Sequence, residues 1–148
     1  MSKLEKLNSK DYLEFYEIIK KRVEKHNQIF TINKQEVMKV FFNSLEHLSI
    51  DEIILKTKIT NKSTIHRVLS SFEGLGIIEG IMIDDIKRYE LVYLKQPHYH
   101  LYCQECNSIS EFDSKDIHNL FLKDLENMNF KATNFNVIIN GVCKTCQK

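Results

Sequence analysis

Apolar residues recur at helical spacing through the first half of the chain and predict four helices. Phe15, Ile19 and Val23 lie four residues apart, which is the spacing of one face of an amphipathic helix. The predicted helices are one over about 10–26, one capped by Thr31 or Asn33, one opened by the capping box Ser49–Glu52, and one that begins at Asn61 and stops at Gly74 and Gly76.

Two β-rich runs follow the fourth helix. Ile77–Ile83 and Arg88–Leu94, with the charged turn Asp84-Asp85-Ile86-Lys87 between them, predict a two-stranded hairpin. Three helices followed by a hairpin are typical of a winged helix. Lys95-Gln96-Pro97 indicates a hinge, because proline disfavours helix and cannot donate to strand pairing.

The last third of the chain predicts a small α/β domain. The expected strands are Tyr99–Tyr102, Ile109–Phe112 and Asn134–Ile139, with a helix over about 114–128 that buries Ile117, Phe121, Leu122 and Leu125. About fifty residues seldom bury enough apolar surface alone, so we expect a metal, dimerisation or both to stabilise this part. The predicted class is α+β: a winged-helix DNA-binding domain over 1–94, a hinge over 95–97, and an α/β dimerisation domain with structural zinc over 98–148.

Composition and charge narrow the function only slightly. The 148 residues carry 21 Lys and Arg against 20 Asp and Glu, a formal charge of +1. Any nucleic-acid site must therefore be a local patch of positive charge, because the net charge of the whole chain is close to zero. No apolar run approaches the roughly 18 residues of a membrane span, so we expect a cytoplasmic protein without membrane contact.

Four cysteines, all in the last third, form two C-x2-C pairs. They are Cys103 with Cys106 and Cys143 with Cys146. In a cytoplasmic protein, thiols stay reduced, and four thiolates are the set that closes a tetrahedral structural zinc site. A pair of redox-active motifs is the alternative.

The second helix of a predicted helix-turn-helix presents a polar face. Its apolar stripe leaves a DNA-binding candidate set on the other side, Lys62, Ser63, Thr64, His66 and Arg67. The first three of these lie where free backbone amides and the helix dipole attract phosphate. Arg67 is suited to guanine or phosphate, and Lys87 and Arg88 of the hairpin to backbone phosphate. An ordinary solvated helix is the alternative.

Histidines two residues apart precede the first cysteine pair. His98 and His100 share one face of a predicted strand and can converge on one ion. The odd separation of His100 and Cys103 argues against a single ion bound by all of these residues. An incidental histidine pair is the alternative.

From residue 31 onward, the sequence resembles the ferric uptake regulator (Fur) family of metal-dependent transcription factors. The resemblance rests on motifs in the family's order and spacing, namely Thr31-x-x-Lys34, Ser63-Thr64-Ile65-His66-Arg67-Val68-Leu69, Gly76-Ile77-Ile78, Arg88-Tyr89-Glu90-Leu91, His98-Tyr99-His100-Leu101-x-Cys103-x-x-Cys106, Glu111-Phe112 and Gly141-x-Cys143-x-x-Cys146.

The resemblance implies two metal sites and a mechanism. Structural zinc would bind the four cysteines, and a regulatory ion, Fe(II) or else Mn(II) or Zn(II), would bind His47, Glu90, His98, His100 and Glu111. These donors lie on both sides of the hinge, so the ion would bridge the two domains and order a homodimer for binding to double-stranded operator DNA. The implied function is an Fe(II)-dependent repressor, not an enzyme.

Departures and alternatives accompany this interpretation. His66 stands where the family has tyrosine, and the wing turn Asp84–Asp85 is acidic and lacks the usual glycine. A peroxide sensor of the same fold, in which iron drives oxidation of His98 or His100, is the first alternative. A thiol oxidoreductase that uses the C-x2-C pairs is the second, although neither pair has the strand-to-helix setting that activates such thiols.

Overall fold

The computed structural model describes residues 9–44, 46–93, 95–133 and 135–148. Its contacts divide these residues into two units, one up to Tyr93 and one from Lys95. The first unit contains α1 (Ser9–Lys25), α2 (Ile32–Asn43), β1 (Leu48–Ser49), α3 (Ile50–Lys56), α4 (Lys62–Gly74), β2 (Ile78–Ile83) and β3 (Ile86–Leu91). The second contains β4 (Tyr99–Cys103), β5 (Ile109–Phe112), α5 (Lys115–Asn127) and β6 (Ile138–Gly141).

The helices of the first unit begin where polar side chains cap them. The Thr31 hydroxyl, and not Asn33, accepts from the Lys34 amide at the start of α2. The capping box predicted for α3 is present in full, and the Asn61 side chain caps α4. Because each cap satisfies amides that the first helical turn leaves open, it fixes the residue at which the helix starts.

A three-stranded antiparallel sheet in the order β1-β3-β2 completes the first unit. The hairpin turn contains two residues, Asp84 and Asp85, with φ of 48° and 61°. Two successive positive φ values give the turn that matches the twist of a hairpin, and aspartate tolerates this conformation. The second strand of the hairpin therefore begins at Ile86, two residues before the predicted start at Arg88. Strand β1, which pairs Leu48 with Tyr89, was not predicted.

The core of the first unit is formed by apolar side chains from one face of each helix, together with residues of the sheet. Its most buried members include Ile19, Val23, Val37, Met38, Phe41, Leu48, Ile53, Ile65, Leu69, Phe72 and Ile77. The apolar stripes of α1, α2 and α4 thus point inward, as their spacing predicted.

The second unit is a three-stranded sheet in the order β5-β4-β6 with one helix. Strands β4 and β5 are antiparallel, whereas β6 runs parallel to β4 and pairs Cys103 with Gly141. The third strand is Ile138–Gly141, so it lies later than the predicted 134–139, and Asn134 lies outside the described residues.

The prediction that α5 buries its apolar residues is wrong for the single chain. Ile117, Phe121 and Leu122 are 38–44% exposed, and Leu125 is only half-buried. Phe121 reaches the ring of Tyr99, with 6.1 Å between ring centroids, but a sheet of three short strands leaves much of the helix uncovered. The α+β class is confirmed by the element order, a mainly helical unit with a small sheet followed by a small α/β unit.

Candidate functional site

Both cysteine pairs meet at one end of the second unit. Their four sulfur atoms lie within 4.8 Å of one another, and Cys106 Sγ is 3.8 Å from Cys143 Sγ. Four ligands at about 2.3 Å in tetrahedral array place thiolate sulfurs about 3.8 Å apart, as around zinc. A disulfide needs about 2.05 Å. The arrangement therefore suits one ion held by four thiolates.

Tight backbone turns hold the cysteines in place. Parallel pairing of β4 with β6 brings Cys103 beside Gly141, and the Gln104 amide donates to the Gly141 carbonyl at 2.9 Å. The first turn closes when the Asn107 amide donates to the Cys103 carbonyl, with Asn107 at a φ of 58°. The Cys146 amide likewise donates to the carbonyl of Cys143 at 2.9 Å.

The surroundings of the four thiols favour a bound cation. Backbone amides of Cys143 and Cys106 lower the pKa of Cys103 to about 6, because they donate to its thiolate. The side chains of Cys143 and Cys106 raise the pKa of Cys146 to about 12. Four thiolates cannot coexist here without a compensating positive charge, and a divalent ion provides it.

A buried histidine–glutamate pair lies in the first unit. His47 Nε2 is 3.4 Å from Glu90 Oε1, and both residues are buried. The pair follows from strand register: Ser49 lies opposite Arg88 and Leu48 opposite Tyr89, so the next residue back, His47, comes level with Glu90. A neutral imidazole and a carboxylate held together in this way are common ligands of divalent metals.

The second unit carries another set of nitrogen and oxygen donors. His100 of β4 is paired in register with Glu111 of β5, with donor atoms within 4.8 Å of each other. The rings of His98 and His100 are 5.0 Å apart, and His98 Nδ1 is 3.1 Å from the Gln96 carbonyl. Lys95 forms an ion pair with Glu111 at 3.3 Å. Each unit thus holds imidazole and carboxylate donors side by side.

The predicted recognition helix α4 follows α3 after a short turn. Ile65, Val68 and Leu69 are buried. On the other side Lys62, Ser63, His66 and Arg67 are exposed and Thr64 is half-buried. This division gives α4 one face packed in the core and one polar face that is largely exposed.

The sequence profile of the ferric uptake regulator family matches residues 25–140 of the chain, which is most of its length. The chain belongs to the ferric uptake regulator family. The family resemblance stated from the motifs is thereby confirmed, together with the function of a metal-responsive transcription regulator.

Individual relatives of this Fur-family chain bear names of regulators. It is 30% identical to the ferric uptake regulation protein of Synechococcus elongatus, over 80% of this chain and 85% of the relative. It is 28% identical to the peroxide-responsive repressor PerR of Staphylococcus aureus, over 79% and 81%. The structure of the ferric uptake regulator from Francisella tularensis with iron superposes with a TM-score of 0.65 at 30% identity, over 80% and 93%. A Fur-type regulator fits these matches, which favour neither alternative function.

One expectation about phosphate contacts of the Fur-family chain is corrected by the structure. The amides of Ser63 and Thr64 are not free, because the Asn61 side chain accepts from both, at 2.9 and 3.3 Å. The phosphate contacts expected of Lys87 and Arg88 stay a prediction; in the structure Lys87 pairs with Glu73 at 2.9 Å and Arg88 with Glu52 at 3.0 Å.

Among the described residues, no helix is both long and apolar enough to cross a lipid bilayer.

Proposed function

We propose that this Fur-family chain is a cytoplasmic, homodimeric repressor that binds double-stranded operator DNA when Fe(II) is bound, and that it catalyses no reaction. The observation that carries the proposal is the buried His47–Glu90 pair beside the winged-helix core. Burying an ionisable pair without a ligand is costly, so a metal-binding role gives this placement a physical reason.

The proposed regulatory ligands are His47, Glu90, His98, His100 and Glu111. Imidazole and carboxylate donors without thiolate suit Fe(II) or Mn(II). The related ferric uptake regulator of Francisella tularensis is described as a structure with iron. A bound dication would offset the charge of the carboxylates and fix the imidazole rings. From the family resemblance, we further propose that donors of both units ligate the same ion, which would reduce the freedom of the hinge over 95–97 before DNA is met.

The proposed structural ion is zinc at Cys103, Cys106, Cys143 and Cys146. The sulfur spacing of 3.8 Å and the lowered pKa of Cys103 support this assignment. Residues of the second unit bury little apolar surface on their own, so a ligated ion would supply stability that packing does not.

The proposed DNA surface is the polar face of α4. Its residues are Lys62, Ser63, Thr64, His66 and Arg67. Arg67 is exposed near the middle of the helix and can reach a base edge, whereas Lys62 can exchange its exposed partner Asp51 for a phosphate.

The proposed dimer contact is the apolar side of α5. Leu120 is 58% exposed, and Ile117 and Phe121, which share a helix face at spacings of three and four residues, are 40% and 38% exposed. A patch of adjacent large apolar residues on one helix is typical of a surface covered by another protein copy.

Metal uptake tests the proposal without knowledge of an operator. We expect each chain to hold one chelator-resistant zinc ion and to take up one exchangeable Mn(II), measured by elemental analysis and equilibrium dialysis under anaerobic conditions. His47→Ala should lose the exchangeable ion and keep the zinc. His26→Ala is the matched control, since His26 is an exposed histidine bonded to the Arg22 carbonyl.

DNA binding provides the second part of the test. Operators selected from a random DNA pool should bind more tightly with Mn(II) than without it, as measured by fluorescence anisotropy. Equal affinity in both states would overturn the metal-dependent repressor, and uptake of Mn(II) by His47→Ala would overturn the ligand assignment.

A further inference from the structure

One arginine contacts both the histidine of the buried pair and the start of α3, the helix that precedes the proposed DNA-binding helix α4. Arg88 Nη1 donates to the His47 carbonyl at 3.3 Å and to Glu52 Oε2 at 3.0 Å. Arg88 lies on β3 two residues before Glu90. Arg88 therefore lies on the same strand as Glu90 and is hydrogen-bonded to the backbone of His47.

The carboxylate that receives Arg88 is also part of the cap of α3. Glu52 Oε2 accepts from the Ser49 amide at 2.7 Å, and the Ser49 hydroxyl accepts from the Glu52 amide at 3.3 Å. Hydrogen bonds to a charged group are about twice as strong as neutral ones and fix direction as well as distance. The first turn of α3 is thus fastened to the strand that carries Glu90.

Helix α3 in turn packs against α4. Ile53 of α3 is fully buried in the same core cluster as Ile65 and Leu69 of α4. Because a packed core transmits displacement instead of absorbing it, a shift at the start of α3 reaches the helix proposed to contact DNA.

We propose that Arg88 and Glu52 are positioning residues that couple the His47–Glu90 ligand pair to α3, and through it to α4. The inference rests on the proposed function, in which that pair ligates the regulatory ion. Both bonds leave from Nη1, whose two N–H groups point in directions fixed by the planar guanidinium, whereas a lysine ammonium is a compact charge on a flexible stem and would hold the two acceptors less firmly.

Amide hydrogen exchange tests the coupling with Mn(II) as the probe. In the unmodified chain, we expect saturating Mn(II) to slow exchange both in the peptide that contains Glu90 and in α3. In Arg88→Met, which keeps the aliphatic stem, Mn(II) should still slow exchange around Glu90, while the slowing in α3 falls about tenfold or more, within the usual range of coupling between sites. Arg88→Lys should restore part of the loss.

Glu73→Gln is the matched control. Glu73 forms a comparable ion pair with Lys87 of the same strand, at 2.9 Å, but it joins β3 to the far end of α4. It should leave the effect of Mn(II) on α3 unchanged. Glu52→Gln is a second variant, which retains a side-chain oxygen for the cap of α3. It should lose the coupling in the same way, so the test remains possible even if Arg88→Met folds poorly.

The outcomes separate the two levels of inference. Equal slowing of α3 in the unmodified chain, Arg88→Met and Glu52→Gln would overturn the positioning role alone. Absence of any Mn(II)-dependent slowing in the unmodified chain would overturn both this role and the proposed regulatory site. Loss of coupling in Glu73→Gln as well would show a general effect of wing ion pairs and would also overturn the assignment.

Discussion

Truncating Leu120 on the exposed side of α5 should weaken the proposed dimer while leaving the folded chain intact. Leu120 is 58% exposed in the single chain, so most of its side chain packs on nothing within its own unit. Phe121 is a less suitable target, because its ring also approaches those of Tyr99 and Phe135. The substitution Leu120→Ala therefore separates association from folding.

The size of the effect follows from the exposed fraction. Burying a whole leucine side chain is worth about 1.5–3 kcal/mol, so covering the 58% that is exposed would contribute about 1–1.7 kcal/mol in each copy. In a twofold dimer, Leu120 of each copy would be buried in the interface, so this contribution occurs twice. Since alanine keeps one methyl group, we expect a loss of about 2 kcal/mol, or roughly a 30-fold increase in the dimer dissociation constant.

Sedimentation velocity over a range of protein concentrations, with zinc held constant, measures this constant. Lys123→Ala is the control, because it removes an exposed polar side chain from the same helix. Unchanged thermal unfolding of monomeric Leu120→Ala would exclude a folding defect. A dissociation constant within twofold of that of the unmodified chain would refute the argument that a second copy covers α5.

Three further predictions concern the other parts of the molecule. Arg67→Ala should cost about 1–3 kcal/mol of operator binding, as measured by anisotropy, and relax sequence preference at one position; a uniform loss on all DNA would contradict base contact. Cys106→Ser should remove zinc and expose amides of the second unit to hydrogen exchange while α1 to α4 stay protected; retained zinc would argue against four-thiolate ligation. Because the Ser49 amide holds the pKa of Glu52 below its usual range, ionised Glu52 stabilises the fold above its unfolded-state pKa, and this contribution is lost as the pH falls through the lowered pKa. In urea unfolding, the stability gap between the chain and Glu52→Gln should therefore close on acidification, and a constant gap would contradict this reasoning.

Local signals predicted the helices well, and pairing between distant residues explains what they missed. Caps at Ser49 and Asn61 lie within three residues of the amides that they satisfy, so the sequence specifies them directly. Strand β1 is only two residues long and exists because it pairs with β3 some forty residues later. No periodicity can be detected in two residues, and hydrophobic spacing likewise could not show that the three short strands leave much of α5 exposed.

The candidate metal residues divide in the same way. The C-x2-C spacing is local, and it indicated a four-thiolate site before any fold was known. His47 and Glu90, in contrast, were assigned only through the family resemblance, because their contact depends on the register of β1 against β3. The bond from Arg88 to Glu52 depends on the same register, and the sequence showed only that Arg88 was a cation near the wing.

The charges of the first unit support the proposal that α4 makes most of the contacts with DNA. The wing turn is acidic at Asp84 and Asp85, and Arg88 holds two acceptors in a half-buried position that it would have to leave to reach a phosphate. Lys62 can be released more readily, since exposed ion pairs such as that with Asp51 contribute little. Fewer phosphate contacts from the wing would weaken non-specific binding and make its dependence on salt shallower. Tight binding would then require base contacts from His66 and Arg67 and simultaneous use of two half-sites, which would make control of the proposed dimer an effective way to regulate this chain.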